Sequence, residues 1–266
     1  MMHKQASIRF NHQIGPDLFH LGLACQGDFQ KVAPGQFVMV RIGRQSPPLL
    51  RRPFSISGQM GEKNHIEGIE LLIKVIGPGT AAFAHMVKEQ TVDLLGPLGQ
   101  GFRMDATNRK IYLVAGGIGV APLRFLALKL VAAGINPKQI HLFFGGRSQS
   151  DLICWEFFNS LRIPVTMTTD DGSLGDQCLI TDPLEVAVVK DKPDIIYACG
   201  PHGMLNCVAG IAQRQKVRCQ VSIETMMACG MGVCLGCAVV SRKQQDHYLH
   251  ACIHGPVFDV EELKMD

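Results

Sequence analysis

Charge is scarce in this 266-residue chain: 18% of residues are charged, and 26 Lys and Arg nearly cancel 23 Asp and Glu. That balance argues against a nucleic-acid partner, which usually demands a strong basic face, and no run of Lys or Arg exceeds Arg51-Arg52. Long apolar runs are lacking as well. The longest, residues 111–123, is broken by glycines and a proline and followed by Arg124 and Lys129, short of the ~20 residues that a span needs, so no membrane partner is expected. The start, Met1-Met2-His3-Lys4-Gln5, shows neither an apolar signal core nor a small-residue cleavage site, which points to the cytoplasm. What the chain does have is 47% hydrophobic residues, including 13 Phe, enough for a folded protein of one large domain or two to three small ones.

Ten cysteines could signal a disulfide framework, but the chain is not short and nothing marks it for an oxidising compartment. Their spacing says more. Cys25, Cys154, Cys178, Cys199, Cys207 and Cys219 are scattered, as small buried residues would be, whereas Cys229, Cys234, Cys237 and Cys252 share one C-terminal segment.

Three zones follow one another. Residues 1–102 hold short β-prone runs such as 37–42 and 70–76 between Pro/Gly turns, which predicts an antiparallel β-barrel with one helix over 80–88. Residues 103–218 change to strand, Gly-rich turn, helix, with strands at 111–115, 141–144, 165–169 and 195–199 and a helix at 123–133. This rhythm predicts a parallel-sheet α/β nucleotide-binding domain. Residues 219–266 lose periodicity apart from a short strand at 238–240. They are too few for their own apolar core, so a metal centre is the expected organiser. The fold class is thus α+β and α/β multidomain.

The strongest motif is Cys229-x4-Cys234-x2-Cys237 followed, after fourteen intervening residues, by Cys252, the spacing of plant-type 2Fe-2S sites, in which four thiolates hold two irons. Gly230, Gly232 and Gly236 between the ligands let a tight loop wrap the cluster. A structural zinc site is the alternative, although it more typically shows paired C-x2-C knuckles. Gly116, Gly117 and Gly119 close a predicted strand, and Cys199-Gly200 closes a later one. Ligands of open α/β sheets sit beyond such strand ends, although the first motif, with Pro122 in third place, also fits a plain strand-to-helix turn. Arg52-Pro53-Phe54-Ser55, Leu72-Ile73-Lys74 and Gly79-Thr80 offer a guanidinium for a pyrophosphate, a hydroxyl for a flavin nitrogen and a phosphate-holding turn, or are ordinary barrel residues. Arg147 suits either a ribose 2′-phosphate or a pyrophosphate, and His254 and Phe258 read as packing residues.

Together the zones resemble the ferredoxin-NADP reductase superfamily and, within it, the electron-transfer subunits of dihydroorotate dehydrogenase B. Arg52-Pro53-Phe54-Ser55 resembles the superfamily's R-x-[YF]-S flavin motif. The segment Glu224-Thr225-Met226-Met227-Ala228-Cys229 through Cys252 to Phe258 is similar to the cluster signature of those subunits. The resemblance implies FAD on Arg52 to Ser55, Leu72 to Lys74 and Gly79-Thr80, NAD on the α/β domain, and a 2Fe-2S cluster on the four cysteines. It also implies an FMN-containing dihydroorotate dehydrogenase catalytic subunit as partner, in a heterotetramer with two of each chain. Ile73 stands where relatives often carry an aromatic residue. Hydride exchange between flavin and nicotinamide demands no proton-transfer residue, so no catalytic residue is expected, and Cys199 is placed nearest the nicotinamide. Competing readings are the electron-transfer subunit of a sulfhydrogenase or of a ferredoxin:NADP transhydrogenase, and a zinc-stabilised binding module without redox activity.

Overall fold

The computed structural model describes residues 2–25, 27–43, 49–62, 65–243 and 247–265. Strands β1 (Met2–Gly15), β2 (Leu18–Ala24), β3 (Phe37–Arg41), β4 (Arg52–Glu62), β5 (His65–Lys74) and β6 (Thr91–Leu98) close into an antiparallel barrel of order β1-β2-β5-β4-β3-β6. Closure leaves no free sheet edge to cover. Alternation sorts the two faces: Ile69, Leu71 and Ile73 of β5 turn inward among Ile8, Leu21, Val38 and Val40, while Glu70, Leu72 and Lys74 turn outward. Helix α1 (Pro78–Ala84) is shorter than the predicted 80–88. Pro78 suits its first turn, and left-handed Glu89 (φ 71°) lies in the turn that carries the chain into β6.

The second body is built from β7 (Ile111–Gly116), α2 (Val120–Ala132), β8 (Ile140–Gly146), α3 (Trp155–Ser160), β9 (Val165–Thr169), α4 (Thr181–Lys190), β10 (Ile195–Cys199), α5 (His202–Gln215) and β11 (Arg218–Ser222). Its five strands run parallel, and α2 starts three residues before the predicted 123 because Pro122, in the first turn, has no N–H to leave unpaired. Beyond β11 come the two-stranded ribbon β12 (Ala238–Val240) and β13 (Tyr248–His250), then β14 (Val257–Asp259), which returns to the large sheet as an antiparallel edge. The order is β14-β11-β10-β7-β8-β9, so the sheet continues past residue 218 and the segment between β11 and β14 is an excursion from it. No described helix is long and apolar enough to cross a membrane.

The excursion has no core of its own. Its Cys237, Ala251 and Cys252 are buried in one cluster with Phe37, Met39, Leu95 and Leu98 of the barrel and with Val208, Val221 and Phe258 of the α/β body. Burying Phe258 contributes about 1.5–3 kcal/mol toward holding the excursion in place.

Candidate functional site

The four C-terminal cysteines come as two pairs. The Cys237 and Cys252 sulfurs are 3.2 Å apart and buried, while Cys234 is exposed and Cys229 half-buried beside it. Cys229 Sγ accepts the N–H groups of Met231 and Cys234, each at 3.4 Å. Burial alone raises the Cys229 thiol, but these donors and the Cys234 thiol outweigh it and bring it down to about 6. Cys252 is pushed up to about 12 by burial and by its neighbour Cys237. The loop reaches this shape through left-handed backbone at Gly230 (φ 71°) and Gly232 (φ 79°), and a Cβ on Gly232 would run into Ile253. Among the described residues no three His, Cys, Asp or Glu side chains form a single-ion site. Two thiol pairs with N–H groups turned to sulfur fit a two-iron cluster, each pair serving one iron. Binding would displace the thiol protons, since metal ligation requires thiolates.

The barrel motif lies one strand away. Arg52, Pro53, Phe54 and Ser55 begin β4, opposite Val40, Met39, Val38 and Phe37 of β3. Arg52 donates to the Leu50 carbonyl at 3.1 Å, and Phe54 meets Phe83 of α1 edge-on at 5.4 Å. Thr80 differs from expectation: its Oγ1 accepts the N–H groups of Ile76 (2.9 Å) and Gly77 (3.2 Å) and donates to the Gly77 carbonyl (3.1 Å), so the hydroxyl is spent on closing its own turn. Gly79 beside it is buried in that turn. Ile73 is buried inside the barrel.

Leu72 and Lys74 face the α/β body instead, along a seam that sequence reasoning missed. Lys74 Nζ lies 2.5 Å from Asp151 Oδ1, and Asp151 also accepts the Arg147 N–H at 3.1 Å. Glu70 accepts from Arg124 of α2 at 2.7 Å and contacts His20 at 3.0 Å, while the Arg124 guanidinium sits 4.5 Å over the Phe157 ring. Burial works against ionising Asp151 and Glu70, yet Lys74 with Arg147, and His20 with Arg124, hold both carboxyls below their ordinary values.

The strand order reverses between β7 and β10, the place at which open α/β sheets bind ligands, and the expected nucleotide crevice falls there. Gly116, Gly119 and Gly200 are there because the two strand ends approach too closely for side chains. A Cβ on Gly116 would come within 2.5 Å of Pro201 Cδ, and one on Gly119 would strike the Cys199 carbonyl. Gly117 (φ 50°) has open space around it. Cys199 is buried, and its thiol is pushed up to about 12 by desolvation and by the carboxylate of Glu224, against a hydrogen bond with Ser222. From the sequence Glu224 is only the first residue of the cluster signature, because nothing local reveals that the chain after β11 passes the end of β10. Its carboxyl is itself raised by desolvation. His254 Nδ1 accepts the His250 N–H at 2.9 Å and Phe258 is buried, both packing roles.

Comparison with known proteins places these parts in context. Residues 224–264 match the family described as the iron-sulfur cluster binding domain of dihydroorotate dehydrogenase B, and residues 113–210 match the oxidoreductase NAD-binding domain. The chain is 34% identical over 255 residues to the dihydroorotate dehydrogenase B (NAD(+)) electron transfer subunit of Desulforamulus reducens, covering 95% of each. It is 35% identical over 272 residues to that of Bacillus mycoides, covering 99% of each. Among solved structures, NADH-dependent reduced ferredoxin-NADP oxidoreductase superposes with a TM-score of 0.84 at 27% identity, over 98% of this chain and 90% of that one. A Neisseria gonorrhoeae ferredoxin NADP+ reductase shares the fold, with a TM-score of 0.64 at 15% identity over 80% of this chain and 91% of that one. Sharing a third of its residues with these relatives over nearly the whole of each chain, the chain belongs to one family: the electron transfer subunits of dihydroorotate dehydrogenase B.

Proposed function

We propose that the chain passes electrons between the FMN of a dihydroorotate dehydrogenase catalytic subunit and NAD+ through a 2Fe-2S cluster and FAD, serving pyrimidine (UMP) synthesis. The observation that carries this reading is the packing of the paired-cysteine loop directly against the barrel, with the nucleotide crevice on the barrel's other neighbour. FAD converts between the one-electron cluster and the two-electron nicotinamide. The protein's part is to position. Cys229, Cys234, Cys237 and Cys252 ligate iron. Arg52, Pro53, Phe54 and Ser55 line the flavin, with Leu72, Ile73, Lys74, Gly79 and Thr80 contributing backbone and turn rather than free side-chain donors. Gly116, Gly117, Gly119, Cys199 and Gly200 form the floor on which the dinucleotide lies. Residues 1–102, 103–218 and 219–266 serve flavin, nucleotide and cluster respectively, the last lending β14 to the sheet of the second.

The partner would dock where the cluster loop meets solvent. Val233 (75% exposed) and Leu235 flank exposed Cys234 in the chain, and Met226 (89%) and Ile253 are exposed on the same excursion, apolar surface of the kind that marks protein interfaces. Ten free thiols suit the reducing cytosol. The assembly would hold two of each chain.

The test is to purify the chain anaerobically, alone and with the catalytic subunit, and follow the visible bands. Flavin and cluster bands should bleach with NADH in either sample, and with dihydroorotate only when the partner is present. Absence of both bands overturns the redox assignment. Bleaching by reduced ferredoxin but not by the dihydroorotate pair favours the transhydrogenase type, to which the ferredoxin-NADP oxidoreductase structure is similar.

A further inference from the structure

The two thiol pairs do not face the same way. Cys234 meets solvent, whereas Cys237 and Cys252 are buried in the cluster of side chains that includes Phe37, Met39, Leu95 and Leu98 on the barrel. Cys234 thus lies at the surface, while Cys237 and Cys252 lie in the core shared by the barrel, the α/β body and the excursion. At the contact itself, Gly230 of the cluster loop is buried against Met39: a Cβ on Gly230 would lie 2.5 Å from Met39 Cγ and 3.0 Å from its Sδ, with Leu98 Cδ1 at 3.4 Å. Met39 is fully buried at the centre of β3 and sits in register with Pro53 of β4 on one side and Leu95 of β6 on the other. The loop that carries the cysteines thus packs on the Met39 side chain, whose strand is the direct neighbour of the one that carries Arg52 to Ser55.

We propose that Met39 is a positioning residue that fixes the gap between cluster and flavin and keeps water out of it. The proposal rests on the reading that FAD lies on the Arg52 to Ser55 strand and the cluster on the four cysteines. A thioether suits the role because it is unbranched and adaptable and fills an irregular space without a polar atom that needs a partner. Gly230 serves the same gap from the other side, since its left-handed backbone and missing Cβ allow the loop to close onto Met39. With both groups bound, each passage across the gap would oxidise the cluster by one electron and reduce the flavin by one, and two passages with one proton would give the flavin the hydride it would hand to NAD+. Interiors are close-packed and yield only partly when atoms are deleted, so a smaller residue at 39 would leave a void or let the loop shift.

The experiment is a graded series, Met39→Leu and Met39→Val, measured only in preparations with full FAD and iron content. Two quantities are read: the magnetic relaxation enhancement between the cluster and flavin when each holds one electron, and the rate of single-electron passage between them after a flash of reductant. Both should stay close to the parent in Met39→Leu, which keeps the volume, and fall in Met39→Val. A parent-like Met39→Val on both readouts overturns the proposal, and so does selective loss of FAD from the series, which would make Met39 part of flavin binding. Failure of the underlying reading looks different, because the unaltered protein would then lack flavin or cluster bands.

Discussion

The nucleotide crevice and the cluster loop arrive at a binding site by opposite means. At the proposed nucleotide crevice the feature is backbone: Gly116, Gly119 and Gly200 remove side chains where β7 and β10 converge, and the sheet holds that shape by itself. In the loop the site is side-chain chemistry, four thiols on a segment that borrows its core from its neighbours. A backbone site should therefore fail by steric intrusion and a ligand site by loss of one atom. The largest expected effect follows. Cys234→Ser, at an exposed position of little packing value, should abolish the cluster and all transfer to the catalytic subunit, while FAD stays bound and NADH still reduces it. Iron and FAD content per chain, with a partner-reduction assay, check this. A retained cluster with unchanged transfer would remove Cys234 from the ligand set.

The crevice should answer to a different change. In Gly119→Ala the new methyl meets the Cys199 carbonyl, an intrusion that costs about 1–3 kcal/mol in a packed interior. Thermal unfolding should show the loss and NADH titration a weaker affinity, with the cluster bands untouched. Full NADH affinity in the variant would detach these glycines from nucleotide binding.

The same contrast governs what could be read from the sequence. The cysteines announce themselves because ligand spacing is local, and strands 165–169, 195–199 and 238–240 fall as expected because Pro, Asp and Gly punctuate them closely. The return of β14 to the sheet was not legible, since it pairs residues 220–222 with 257–259 across the whole excursion. Nor was the seam between barrel and α/β body, where partners such as Lys74 and Asp151 stand 77 positions apart with no local pattern to link them. Among the residues proposed for the flavin, the surroundings of Thr80 and Ile73 were not legible, because one hydroxyl is engaged in its own turn and the other side chain is buried in the barrel core.

That seam lies between the two kinds of site and yields a smaller effect. Asp151→Asn removes the carboxylate that holds Lys74 and the Arg147 N–H, hydrogen bonds to charge worth about 1.5–3 kcal/mol at a buried position. The pH dependence has a fixed sign. Asp151 and Glu70 are held below their ordinary values of 3.8 and 4.5, so their contribution is complete above those values and drains away as acid titrates the folded carboxylates. Acid unfolding of the parent should therefore steepen below about pH 4.5, and Asp151→Asn, less stable at neutral pH, should lose part of that slope. A variant as stable as the parent at pH 7 would show that the seam does not hold the two bodies together.

The smallest effect tests whether the flavin strand pair behaves like the crevice or like the loop. Ile73 belongs to the proposed flavin-lining segment by position but to the barrel core by direction, buried in one cluster with Leu21, Val38 and Leu71. If the segment serves FAD through its backbone, the side chain matters only to packing. Ile73→Val should then cost about 0.5–1.5 kcal/mol of stability through one lost methylene and leave FAD affinity where it was. Denaturant unfolding and a flavin fluorescence titration separate the two quantities. A marked loss of FAD affinity with unchanged stability would mean that Ile73 meets the flavin directly, and the flavin site would then join the cluster loop as a site made by side chains.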